Sequence, residues 1–105
     1  MMNKCCIITT ACNNKDIADK ITKRLLKERL VSCCQVYQVQ SSYWWGDEIV
    51  EEPEYFIQMK TKKELFDSVK EEILKIHDYD ICEIASYDIE QASDKFINWI
   101  CYETK

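Results

Sequence analysis

Glycine, proline and histidine are almost missing: the chain has one of each in 105 residues, at Gly46, Pro53 and His77. There is no linker, internal repeat or low-complexity stretch, and the length suits one domain, so residues 1–105 read as a single unit. An excess of positive charge is also missing. Fourteen basic against nineteen acidic residues give a net charge of -5, which disfavours nucleic acid, whose binding usually needs a basic patch, and anionic membrane surfaces. No apolar run approaches the roughly 18 residues a bilayer span requires. The opening "MMNKCCIITT" is too short and too weakly apolar for a signal peptide, so the expected location is cytoplasmic. No C-x-x-C occurs, which excludes a zinc ribbon or a thioredoxin motif. One histidine cannot build a histidine-rich metal site within one chain.

Against these absences stand seven cysteines and a hydrophobic content of 47%, enough for a core without disulfide staples. Two cysteine pairs are adjacent, Cys5-Cys6 and Cys33-Cys34. Neighbours on a strand point to opposite faces, so neither pair grips one metal ion. Small buried core residues are the ordinary role of such thiols.

The order of elements follows from periodicity. Residues 4–11, "KCCIITTA", form a β-rich run, and Asn13 or Asn14 is suited to cap a helix. "KDIADKITKRLLKER" repeats Ile17, Ile21 and Leu25 at helical spacing. Residues 31–45 read as a long strand, Gly46-Asp47 as a turn, and 54–61 as an alternating strand. Pro53 between them allows an edge position or a bulge but no fully paired central one. "KKELFDSVKEEILKIH" is a second amphipathic helix, "ICEIASYDI" a fourth strand and "EQASDKFINWICYE" a final helix. The order β-α-β-β-α-β plus a C-terminal helix is an α+β, ferredoxin-like arrangement, with right-handed crossovers placing both crossover helices on one face of an antiparallel sheet.

Residues 31–61 are too long for an ordinary hairpin, since strands usually run about 5–6 residues. The tip must project, and it carries "SSYWWGD". A bare aromatic arm is a solubility liability. Its economical partner is another copy of the chain.

The same stretch resembles a known family. "SSYWWGDEIVEEPEYFIQMKT" is similar to the S-x-Y-x-W…E…K-T segment of the CutA divalent-cation-tolerance family at Ser41, Tyr43, Trp45, Glu54, Lys60 and Thr61. "HDYDICE" resembles its H-P-Y-x-x-P-E block through His77, Tyr79 and Glu83. Phe96 and Trp99 match its C-terminal aromatic-x-x-W, Thr10-Ala11 its strand-end T-A, and "RLVSC" its L-A-A-C segment at Cys33. Departures are Thr9 where some members carry cysteine, Cys12, Asp78 and Cys82 where prolines are usual, Asp47 where glycine is usual, and a segment 33–41 one residue short.

The resemblance implies a homotrimer with an extended central hairpin reaching onto neighbouring subunits. It also implies a role in tolerance to divalent metals, copper above all, without an enzymatic activity. The family's trimer is similar to that of PII signalling proteins, so an alternative is a PII-like trimer binding a small anionic ligand between subunits. Tyr43, Trp45, Glu54, Lys60, His77, Tyr79 and Glu83 are then the expected lining of an intersubunit cleft. For metal, the candidates are Cys12, Cys33, Cys82 and His77. Cys12 lies between a strand end and a helix start, where the helix dipole favours thiolate, the form that takes soft metal. A solvated polar strand face, a structural histidine and buried core thiols are the alternative readings of these residues. No motif places nucleophile and base together for catalysis.

Overall fold

Apolar residues at alternate positions of the first strand set the layers of the fold. The structure, a computed structural model, describes residues 4–105. In β1 (Cys5–Cys12) the side chains of Cys6, Ile8 and Cys12 enter the main core, whereas Cys5, Thr9 and Ala11 point to the other face. Opposite the core face lies α1 (Lys15–Lys27), which buries Ala18, Ile21 and Leu25. Its N-terminus is capped by Asn14, whose Oδ1 accepts from Asp16 N at 2.8 Å and Ile17 N at 3.2 Å. At its other end Arg29 takes the left-handed conformation, φ 57°. Leu30 N donates to Leu25 O and Arg29 N to Leu26 O, a Schellman closure made without glycine.

Strands β2 (Cys33–Trp45) and β3 (Glu48–Lys62) form the long hairpin. Their register runs from Cys33↔Lys60 to Trp45↔Glu48 without a bulge. Gly46 has φ 61° and Asp47 does not have a positive φ, the pattern of a type II′ turn. A single 3₁₀ turn (Lys63–Leu65) leads into α2 (Phe66–Ile76), which buries Val69 and Ile73 beside α1. Arg24 Nε and Glu72 Oε1, 2.9 Å apart, tie the two helices at the surface. The short β4 (Ala85–Asp88) pairs with β1, and α3 (Asp94–Glu103) follows with Ser93 as its cap. The sheet order is β2-β3-β1-β4 with every pairing antiparallel, the expected ferredoxin-like layout. Helix α3 lies on the face opposite α1 and α2, where Cys101 meets Cys5.

Several boundaries differ from the sequence reading: β3 runs unbroken through Pro53, Glu48–Lys62 rather than 54–61, and β2 begins at Cys33 rather than at 31. The fourth strand spans 85–88 rather than 81–89, because β1 offers it only Cys6–Thr9 as partners. The final helix starts at Asp94 rather than Glu90, where the Ser93 hydroxyl first supplies a cap, accepting from Phe96 N. The second helix gives up its first turn to the 3₁₀ segment, which no side chain caps. Pro53 meets its expected edge condition: β1 ends opposite Tyr55, so β3 at Pro53 pairs only with β2.

That early end of β1 makes the arm. From Val39 to Glu54 the hairpin has no third strand among the described residues. Thirteen residues of β2 reach about 43 Å, matching the 45 Å long axis of the molecule. The radius of gyration, 14.4 Å, exceeds the roughly 13 Å of a compact chain this size.

Candidate functional site

Pairing across the arm puts Ser41 opposite Glu52, Val39 opposite Glu54 and Tyr43 opposite Val50. Residues directly opposite share a face, so Tyr43, Trp45, Glu52 and Glu54 lie together on the face of the sheet away from α1 and α2. The segment between α2 and β4 crosses the base of this face. Between them lies an open groove of about 880 Å³, lined by Tyr43, Trp45, Glu52, Glu54, Tyr79 and Glu83 among others.

Hydrogen bonds hold its acidic groups in place. Tyr79 Oη donates to Glu54 Oε2 at 3.0 Å and lies 3.4 Å from Glu52 Oε1. Tyr43 Oη donates to Glu52 Oε2. Thr9 Oγ1 donates to Glu83 Oε2 at 3.0 Å. The Tyr43 bond, helped by Asn13 and Tyr79 against some desolvation, holds the Glu52 carboxyl below its usual range. The same bond, followed by desolvation, pushes the Tyr43 phenol up to about 12. Burial, then the bond to Glu54, raises Tyr79 further. The phenols therefore stay protonated at neutral pH and present their protons to the carboxylates.

His77 stands behind this set. Its Nδ1 accepts from Tyr79 N at 3.2 Å, so Nε2 carries the proton and donates to Ala11 O at 2.6 Å. Its ring lies 4.6 Å from the Tyr79 ring, centroid to centroid. Both nitrogens are committed within the protein. His77 orients Tyr79.

Of the expected cleft residues, Tyr43, Trp45, Glu54, Tyr79 and Glu83 line one groove and His77 buttresses it. Lys60 does not join them. It shares the face of Glu54 but lies six residues along β3, about 20 Å away, and its ammonium donates to Gln35 Oε1. Glu52 sits in the acidic run Asp47, Glu48, Glu51 and Glu52, and such a run reads as a solvated, charged hairpin end. Its signal was the two-residue spacing to Glu54 and the diagonal to Tyr43 across the pair.

The expected metal set is not assembled. Cys12 and Cys33 pair with Tyr55 and Lys60 of β3, five residues or about 17 Å apart along the strand. Cys12 is buried, and its Sγ donates to Asn14 O at 3.4 Å. Burial pushes its thiol up, with Glu54 and Asp78 adding to the rise. Desolvation thus overrides the helix-terminus argument for a thiolate. Cys82 borders the groove, and burial raises its thiol as well. Among the described residues no three or more His, Cys, Asp or Glu side chains are placed to hold a metal ion. No described helix is long and apolar enough to cross a membrane.

Comparison with known proteins gives a consistent result. Residues 6–103 match the family model described as CutA1 divalent ion tolerance protein. The divalent-cation tolerance protein CutA of Pyrococcus horikoshii is 33% identical over 99 residues, covering 94% of this chain and 97% of that one. Its counterpart in Thermotoga maritima is 32% identical over 87 residues, with 83% and 86% covered. Among solved structures, CutA1 from P. horikoshii superposes with a TM-score of 0.90 at 32% identity, covering 95% of this chain and 98% of that one. A structure from Archaeoglobus fulgidus, described as a periplasmic divalent cation tolerance protein CutA, gives 0.93 at 28% identity, with 96% and 99% covered.

Proposed function

The chain belongs to the CutA1 divalent ion tolerance family, and from that premise we propose that it works as a homotrimer that binds a divalent cation, copper foremost, and catalyses no reaction. The observation that carries the cation part of this reading is the charge of the groove, while copper rests on the resemblance of the sequence alone. Glu52, Glu54, Asp80 and Glu83 line it, and among the described residues its lining holds no lysine, arginine or histidine. Carboxylate oxygens facing an open, uncompensated groove favour a cation over an anion. The groove of one chain supplies too few converging ligands, so water or the neighbouring chain completes the coordination in this proposal.

Assembly is supported by the arm, which carries Trp44, Trp45 and Ile49 largely exposed. Absence of catalysis is part of the proposal and rests on the description of the family as tolerance proteins. A small anionic ligand finds no cationic side chain in this groove, because Lys60 is elsewhere. The cytoplasmic reading is likewise a proposal. It rests on the thiol-rich composition, while the A. fulgidus protein is described as periplasmic; cell fractionation decides between the two.

Equilibrium dialysis of reduced protein against Cu(II) and Zn(II) tests the cation reading. Micromolar or tighter binding is expected. Glu52→Gln with Glu83→Gln is expected to weaken it at least roughly tenfold, about 1.4 kcal/mol. Cys33→Ser, outside the groove, leaves it unchanged. Absence of micromolar binding, or binding indifferent to the glutamates, overturns the reading.

A further inference from the structure

At the opposite end of the same sheet face, two thiols meet across the boundary between sheet and helix. Cys5 opens β1 and Cys101 lies in α3, with their sulfurs 3.9 Å apart. Cys5 is wholly buried and Cys101 is half-buried. Cys6, the neighbour of Cys5, turns to the other face and joins the α1–α2 core. Beyond this contact, α3 is held by buried Ile100, by the 2.8 Å ion pair of Glu103 with Arg29, and by a backbone bond from Lys105 N to Arg29 O.

We propose that Cys5 and Cys101 form a modification site, an oxidisable dithiol that closes to an intrachain disulfide and pins α3 to β1. A disulfide needs its sulfurs at about 2.05 Å, so closure asks for an approach of about 2 Å between side chains that already face each other. Side-chain rotation and a small slide of a terminal helix supply it.

The two thiols have different parts in the reaction with a peroxide. Cys101 has the solvent access and is oxidised first. Its thiolate attacks one peroxide oxygen, the O–O bond breaks, hydroxide leaves and a sulfenic acid forms. Cys5 is shielded from the oxidant, and burial, then the Cys101 neighbour, pushes its thiol up to about 11. It acts as the resolving thiol. Its sulfur attacks the Cys101 sulfur, the S–O bond breaks, and the Cys5 proton leaves with the hydroxyl as water. Overall two thiols and one peroxide give one disulfide and two waters. The bridge joins residues 96 apart in sequence, which restricts the unfolded chain strongly and leaves the native contacts in place.

The test treats the full reduced chain with hydrogen peroxide, alkylates remaining thiols, digests with trypsin and reads the linked peptides by mass spectrometry. The Cys101 peptide contains no second cysteine, and fragmentation between Cys5 and Cys6 assigns its partner. A Cys5–Cys101 link is expected, with a Tm raised on the order of 10 °C and restored by dithiothreitol. Cys101→Ser, at a half-buried position that tolerates a hydroxyl, should lose both the link and the shift, while Cys33→Ser keeps both. Recovery of Cys101 alkylated or over-oxidised, a link from Cys101 to another cysteine, or a shift that persists in Cys101→Ser each overturns the proposal.

Discussion

Along β3, Ile57 and Met59 are wholly buried, while Ile49 near the tip of the same strand is 62% exposed. Across the hairpin, Trp44 is 70% exposed. The base has β1 beside it and two helices over it. The arm has neither, yet it carries the bulkier apolar side chains. Burial of apolar area is what stabilises a fold, at roughly 25 cal/mol per Å², so the base is stabilised by its own chain and the arm lacks that stabilisation in an isolated chain. One strand thus serves two surroundings, and its sequence changes character where β1 ends.

The comparison breaks first at the base. Ile57→Ala removes a fully buried side chain and is expected to cost about 2–5 kcal/mol, read as a lower urea midpoint. Ile49→Ala should change the stability of the chain diluted below assembly by less than about 0.5 kcal/mol. An equal cost at both sites contradicts the distinction. The complementary test is Trp44→Ser with Trp45→Ser. It should weaken assembly by about 2–4 kcal/mol, seen as dissociation on dilution by light scattering, with circular dichroism unchanged.

Gly46 sharpens the arm's side of the comparison. Nothing lies within 4 Å of where a Cβ would stand, so Gly46→Ala carries only the backbone cost of φ 61°, about 1–2 kcal/mol. That loss should appear in arm protection by hydrogen exchange before it appears in global unfolding.

The smallest effect is in the Tyr43–Glu52 pair where the arm meets the groove. The Glu52 carboxyl is lowered in the folded state. Its contribution to stability is therefore present above the ordinary carboxylate pKa and is lost as pH falls through the lowered value. Tyr43 is raised to about 12, so its contribution is complete below the ordinary phenol value of about 10 and is lost as pH rises through about 12. Tyr43→Phe should move the Glu52 carboxyl back up in an NMR titration. An unmoved Glu52 resonance breaks the proposed coupling.

Element order and the α1 and α2 core stripes were legible because period-two and helical patterns survive in sequence. Pro53 marked correctly where β3 loses one neighbour. The ends of β4 and α3 were hidden because they depend on how much of β1 is free to pair and on a serine cap. In the groove, Tyr43, Glu54 and Tyr79 were readable from spacing and resemblance. Glu52 was obscured by acidic neighbours that do face solvent. At Cys12 two effects compete: a helix terminus favours thiolate, whereas burial raises the thiol, and burial of one thiol is not written in its local sequence. Cys5 and Cys101 meet through the placement of α3, which local spacing does not reveal.

The mass of the full chain in solution tests the central claim most directly, because an aromatic arm without a third strand has a physical rationale only in an assembly. Multi-angle light scattering of the reduced protein at micromolar concentration should give three times the 12.5 kDa chain mass. A stable, soluble species at the mass of one chain, with the tryptophans of the arm intact, would contradict the account.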